Sequence, residues 1–129
     1  MKYSLRHNSP ERIYTHMKYS KEIFYQEFIR REDSTNRAPY NPELEFYSII
    51  QNGDIEQVKE LCKASPLKDK KGLGLLSEKP VNNIRYHFVI TTALVARYCI
   101  EGGLDVATAY NLSDFYIKKS DTMKSVEDI

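Results

Sequence analysis

The side chains best equipped for chemistry in this chain gather in one short stretch: Asn82, Asn83, Arg85 and His87 fall within six residues. An arginine beside two carboxamides can hold an anion through several N–H donors. The same groups can instead cap a neighbouring loop by bonding its free backbone groups. Capping is the favoured role of the two. Further along, Arg97 and Glu101 stand four residues apart, the spacing of a helical ion pair worth about 0.2–0.5 kcal/mol. The neighbours of Arg97 are apolar, so its guanidinium is expected to be partly buried, and a buried guanidinium needs a carboxylate. Asp114 is the expected partner, which makes Arg97, Glu101 and Asp114 the expected structural clamp.

Other chemistries lack their residues. His7, His16 and His87 stand alone, with no HxH or HxxxH pair to hold a metal. His87 is expected to be a packed, hydrogen-bonded histidine. Cys62 and Cys99 are 37 residues apart and form no CxxC. Neither a zinc site nor a disulfide framework is expected, which fits a reducing cytoplasm. Gly72 and Gly74 are spaced GxG only, too little for a phosphate-cradling loop. There is no GxSxG, no evident Cys–His couple and no carboxylate dyad, so no enzymatic activity, metal or cofactor is expected.

The charge excludes a further class. Nineteen Lys and Arg face eighteen Asp and Glu, for a formal net charge of +1. Residues 1–40 carry eight basic residues against five acidic ones, too small a surplus for a nucleic-acid-binding arm, since binding through phosphates wants a basic stripe. The opening MKYSLRHNSPER has no apolar run of the signal-peptide kind. The longest apolar stretch, about residues 87–100, contains Arg97 and falls short of the roughly 20 residues that span a bilayer. A soluble protein of 129 residues with one main core is expected.

The elements that must position these residues read as helices throughout. Residues 17–32 carry Ile23, Phe24, Phe28 and Ile29 on one face, with Tyr19 and Tyr25 at its edge. Residues 33–40 read as a polar linker closing an N-terminal arm, and 41–129 as the main helical domain. Asn41-Pro42-Glu43 is a helix start, with Asn41 as N-cap and Pro42 at the first helical position. Gly53 ends that helix, and Asp54 with Gln57 opens the next, whose stripe is Ile55, Val58, Leu61 and Cys62. Together they predict an αα-hairpin. A connector over 65–77 follows, its end tucked in by Leu73, Leu75 and Leu76.

The main helix is expected over about 81–101, apolar on nearly all sides from Phe88 to Ile100 and stopped by Gly102-Gly103. A short helix capped by Asp105 is expected to close at Asn111. A last helix is expected from Ser113, with Phe115, Tyr116 and Ile117 inside and Lys118 and Lys119 outside. Residues 125–129 could cap one more helix. The fold class is all-α, about five to six helices around a central buried one.

Two segments, ELEFYSIIQNGDIEQVKEL at 43–61 and NNIRYHFVITTALVARYCIEGGLDVATAYNLSDFYIKKSD at 82–121, carry a family likeness. The second resembles the helical region that precedes the DNA-binding domain in AraC-type bacterial transcription regulators. The matching features are Arg85-Tyr86, Arg97, the turn Ile100-Glu101-Gly102-Gly103-Leu104, Ala109-Tyr110, Leu112-Ser113-Asp114 and Tyr116-Ile117. The family's two helix-turn-helix motifs are not in this sequence, so no residue here is assigned to DNA. The resemblance implies a regulatory or dimerisation domain, expected as a homodimer, answering to a small-molecule or protein effector and reaching DNA only through a domain beyond Ile129. The alternative is a free-standing helical adaptor that binds another protein.

Overall fold

The computed structural model describes residues 19–32, 40–63 and 73–129, and all the regular structure among them is helical. The chain divides into two compact units, 1–36 and 37–129. The readings made on His7, His16, Gly72, the 33–39 part of the linker and the 65–72 part of the connector lie outside the described residues. The first unit contributes α1, Ser20–Glu32, a helix with no buried residue. Phe24, Tyr25, Phe28 and Ile29 are exposed on it, while Ile23 is half-buried.

The second unit contains α2 (Tyr40–Gln51), α3 (Ile55–Lys63), α4 (Pro80–Glu101) and α5 (Val106–Asp121). Helix α4 is the centre: α2 packs on it from one side, α5 from another, and α3 folds back on α2. The expected core helix is therefore present, at 80–101. Its burial is one-sided, however. Ile84, His87 and Ala96 are buried, whereas Tyr86, Ile90 and Arg97 form an exposed edge. Those three recur at spacings of four and seven, a single line along a helix.

Local chemistry sets the ends of these elements. Helix α2 begins one residue ahead of Asn41, at Tyr40, so Pro42 sits third in the helix, where its missing N–H is one of the unpaired donors of the first turn. Gly53 takes φ 69°, and Asp54 Oδ1 accepts from the Gln57 N–H at 3.1 Å, capping α3. Helix α4 stops in a left-handed glycine motif. The Leu104 N–H bonds the Cys99 carbonyl and the Gly103 N–H bonds that of Ile100, both at 2.9 Å, with Gly103 at φ 108°. Gly102 is needed for a different reason: a Cβ there would collide with the backbone carbonyl of Gln51 at the end of α2. The two glycines together stop one helix and admit another.

Three expectations fail in the last quarter. The short helix ending at Asn111 and the separate one from Ser113 are a single helix, capped by Asp105, whose Oδ2 accepts from the Thr108 N–H at 2.9 Å and hydroxyl at 3.0 Å. Asn and Ser favour caps when nothing else decides. Here packing decides, because Ser113 is buried with Ala109 and Ser120 on the helix side turned toward α4. Phe115 and Tyr116, expected inside, stand 57% and 49% exposed. Past Thr122 the chain makes turns rather than a further helix.

Candidate functional site

The cluster at the head of α4 is a joint that holds other segments in place. Asn83 Oδ1 accepts from the backbone N–H groups of Leu76, at 2.6 Å, and Ser77, at 3.2 Å. His87, buried, bonds the Gly74 carbonyl through Nε2 at 2.5 Å. A carbonyl can only accept, so that nitrogen carries a proton. The two side chains strap the segment 73–77 along the helix. Leu73 is half-buried and Gly74 buried, but Leu75 and Leu76 are exposed, so hydrogen bonds rather than leucine packing hold that end.

Arg85 does what was expected of Arg97. Its Nη1 donates to Asn82 Oδ1 at 2.9 Å, its Nε to the Ser120 carbonyl at 3.1 Å, and its Nη2 to the Met123 carbonyl. Ser120 and Met123 flank the C-terminal end of α5, where carbonyls lack helical partners and the macrodipole is negative. A half-buried guanidinium there supplies both hydrogen bonds and the favoured sign of charge. It fastens the first turns of α4 to the last turn of α5 without a carboxylate.

The expected clamp of Arg97, Glu101 and Asp114 does not form. Arg97 is exposed; it donates to the Ala93 carbonyl at 2.8 Å and lies 5.5 Å from the centre of the Tyr110 ring. Glu101 and Asp114 are exposed as well, and the ion pairs Arg31–Glu27, Lys59–Glu56 and Lys63–Glu60 lie on the surface of other helices. The reason is rotational. Position 97 lies on the line through Tyr86 and Ile90 that faces solvent, while Arg85 lies on the side toward α5.

On the α2 side of α4, Tyr47 is buried and stacks on Tyr98, with centroids 4.8 Å apart and planes 12° from parallel. Burial holds the Tyr47 hydroxyl above its usual pKa, the Glu43 charge adds to this, and the Thr91 hydroxyl works the other way. Among the described residues no group of three His, Cys, Asp or Glu could hold a metal ion.

A feature that sequence reasoning missed lies on the outer side of α5. Leu112 is 49% exposed, Phe115 and Tyr116 are exposed beside it, and their rings meet edge to face at 5.3 Å. Lys119 Nζ lies 6.0 Å from the centre of the Phe115 ring. The spacing 112, 115, 116, 119 is that of an anchor stripe on a helix. A signal was available: Ala109, Ser113 and Ser120 are small and share the opposite side, which is where close helix contact needs small side chains.

The fold and this joint define an all-α unit, a helical hairpin fastened by an arginine at its open end. No family model, curated protein or solved structure matches the chain. No helix among the described residues is long and apolar enough to cross a membrane.

Proposed function

We propose that this chain is the regulatory and dimerisation domain of an AraC-type transcription regulator, coupling a ligand or protein effector to a DNA-reading domain. One observation carries the reading: residues of the family-like pattern divide into two structural classes. Arg85, Gly102, Gly103, Ala109 and Ser113 build the α4–α5 pair through bonds, turns and small contacts. Tyr86, Leu104, Tyr110, Leu112 and Tyr116 are large, apolar and exposed. Exposed apolar residues of this size mark association surfaces where they lie together. In the proposed mechanism an effector shifts the population of helix or dimer arrangements, and that shift alters the spacing of two DNA-reading heads.

The second reading, a free-standing helical adaptor, draws on the same exposed residues and needs no DNA-reading partner. The size of the native product separates the two, read by immunoblot or intact mass. A regulator gives a product of about twice this length. A product near the 15.1 kDa of this sequence would end the regulator reading and leave the adaptor.

A further inference from the structure

Helix α4 begins without a side-chain cap. Lys79, just before it, makes no side-chain cap bond, and Pro80 takes the first helical position. Its first turn closes on the bond from the Asn83 N–H to the Lys79 carbonyl, at 2.9 Å. An uncapped helix end leaves backbone donors unpaired and is the part of a helix that frays first. Here two ties from outside take the place of the cap. Asn83 and His87 bond the strap at 73–77, and the Ser77 hydroxyl accepts from the Lys79 N–H at 3.2 Å. Arg85, bonded to Asn82, holds the Ser120 and Met123 carbonyls. At 3.6 residues per turn, Asn83 and His87 share one side of the helix, and Arg85 lies about 160° round from each.

We infer that the head of α4 is a coupling joint: the strap at 73–77 and the tail from Thr122 hold the same first two turns, so release of either loosens the other. The shared element has two states, wound and frayed. Asn82, Asn83 and Arg85 lie within its first six residues, and none keeps its place when those residues unwind. Each tie shifts the population toward the wound state, and two ties that favour one state reinforce each other. Such coupling is reciprocal, so the strap acts on the tail by the same factor as the tail acts on the strap.

The tail is suited to this control. Met123, Ser125, Val126 and Ile129 are half-buried, and the backbone bonds there close single turns, from the Met123 N–H to the Ser120 carbonyl at 3.2 Å and from the Ile129 N–H to the Val126 carbonyl at 3.3 Å. Segments held by so few bonds open without unfolding the whole chain. Whatever detaches the strap, at the end of the connector between α3 and α4, thereby frees the residues after α5. The inference needs neither the regulator nor the adaptor reading.

Amide hydrogen exchange on the full 129-residue chain tests this, with rates taken relative to the amide of Ala96, buried farther along α4. In Arg85→Gln the Leu76 and Ser77 amides should exchange at least about fivefold faster than in the wild type, although both are bonded to Asn83. In Asn83→Ala the Met123 and Ile129 amides should quicken by a similar factor. Asn83→Asp keeps the acceptor that the strap uses and should leave the tail at its wild-type rate. Gly102→Ala, which strains the other end of α4, should leave both ratios unchanged. Circular dichroism establishes that each variant is folded. If Arg85→Gln does not fold, Arg85→Lys replaces it, because an ammonium keeps the charge without the planar fork that reaches two carbonyls. An Arg85→Gln effect confined to the tail, or an Asn83→Ala effect confined to the strap, overturns the inference. So do strap amides unprotected in the wild type, or equal loosening by Asn83→Asp or Gly102→Ala.

Discussion

The α2–α3 and α4–α5 pairs are both helical hairpins turned at a glycine of positive φ and restarted by a capping aspartate. They differ in what holds them closed. The α4–α5 pair has buried small residues along its contact, Ala96, Ala109, Ser113 and Ser120, and Arg85 tying its open end. The α2–α3 pair has no buried residue in α3, whose stripe leaves Ile55 and Cys62 exposed and Val58 and Leu61 half-buried. Its ion pairs, Lys59–Glu56 and Lys63–Glu60, lie on the surface, where such pairs contribute about 0–1 kcal/mol. A nine-residue helix is too short to persist without tertiary support. A glycine turn thus sets a hairpin's direction, and the fit of the surfaces beyond the turn sets its strength.

The strongest test of that contrast is the arginine at the open end. Arg85→Gln leaves the Ser120 and Met123 carbonyls without their charged donor in a half-buried place. Hydrogen bonds to a charged group are worth about 1.5–3 kcal/mol each, so a loss of about 2–4 kcal/mol in unfolding free energy is expected by urea titration. Arg97→Gln removes an exposed ring contact worth about 0.5–1 kcal/mol and should cost no more than that. Equal losses would mean that the hairpin is not held at its open end.

The turns give the next comparison. Gly102→Ala drives a Cβ against the Gln51 carbonyl, a backbone atom that cannot swing aside, and overpacking of this kind costs about 1–3 kcal/mol. Gly53→Ala meets no neighbouring atom. It costs only the strain of a left-handed alanine, about 1–2 kcal/mol. Thermal unfolding should rank Gly102→Ala as the larger loss, and the reverse order would mean that the approach of α2 to the end of α4 yields more easily than the left-handed turn at Gly53.

Burial of Tyr47 sharpens the comparison on the alkaline side. Its folded pKa is raised, so folding favours the neutral phenol. That stability is complete below the unfolded pKa of about 10 and fades as pH rises through the higher folded value. Tyrosinate absorbance should show a late-titrating ring among the ten tyrosines, removed in Tyr47→Phe, and unfolding should follow the same limb. A titration unchanged by Tyr47→Phe would place that late ring elsewhere.

Much of this architecture is legible in the residues because helix ends are decided locally. Gly53, Asp54, Gly103 and Asp105 each act within a turn of themselves, and each does what its type predicts; Gly102 is the exception, required by the distant Gln51 carbonyl. The contact face is decided at long range. Ser113 looks like a helix start until a neighbouring helix gives it something to pack on. Phe115 looks like core until Ala109, Ser113 and Ser120 are seen to hold the opposite side. Arg97 and Arg85 are both arginines in the main helix, and only the angle at which α5 lies separates the surface residue from the clamp. The anchor of the 73–77 strap was legible in part: Asn83 and His87 were expected to bond neighbours, but their partners, Leu76, Ser77 and Gly74, could not be read from spacing.

The smallest expected effect belongs to Asp105. Hydrogen bonds from the Thr108 backbone N–H, and then from its hydroxyl, hold this carboxyl below its ordinary pKa. Folding therefore favours the carboxylate. The stability it contributes is present above the unfolded pKa of about 3.9 and is lost as pH falls through the lower folded value. Asp105→Asn keeps an N-cap acceptor while removing the charge. It should flatten the acid limb of the unfolding profile below about pH 4 and leave the neutral-pH fold unchanged. Were α5 held by its cap rather than by the contact with α4 and the Arg85 bonds, Asp105→Ala would melt the helix at neutral pH. The expected result is a small drop in midpoint temperature with helicity intact, because what keeps α5 in place lies along its inner side and at its far end.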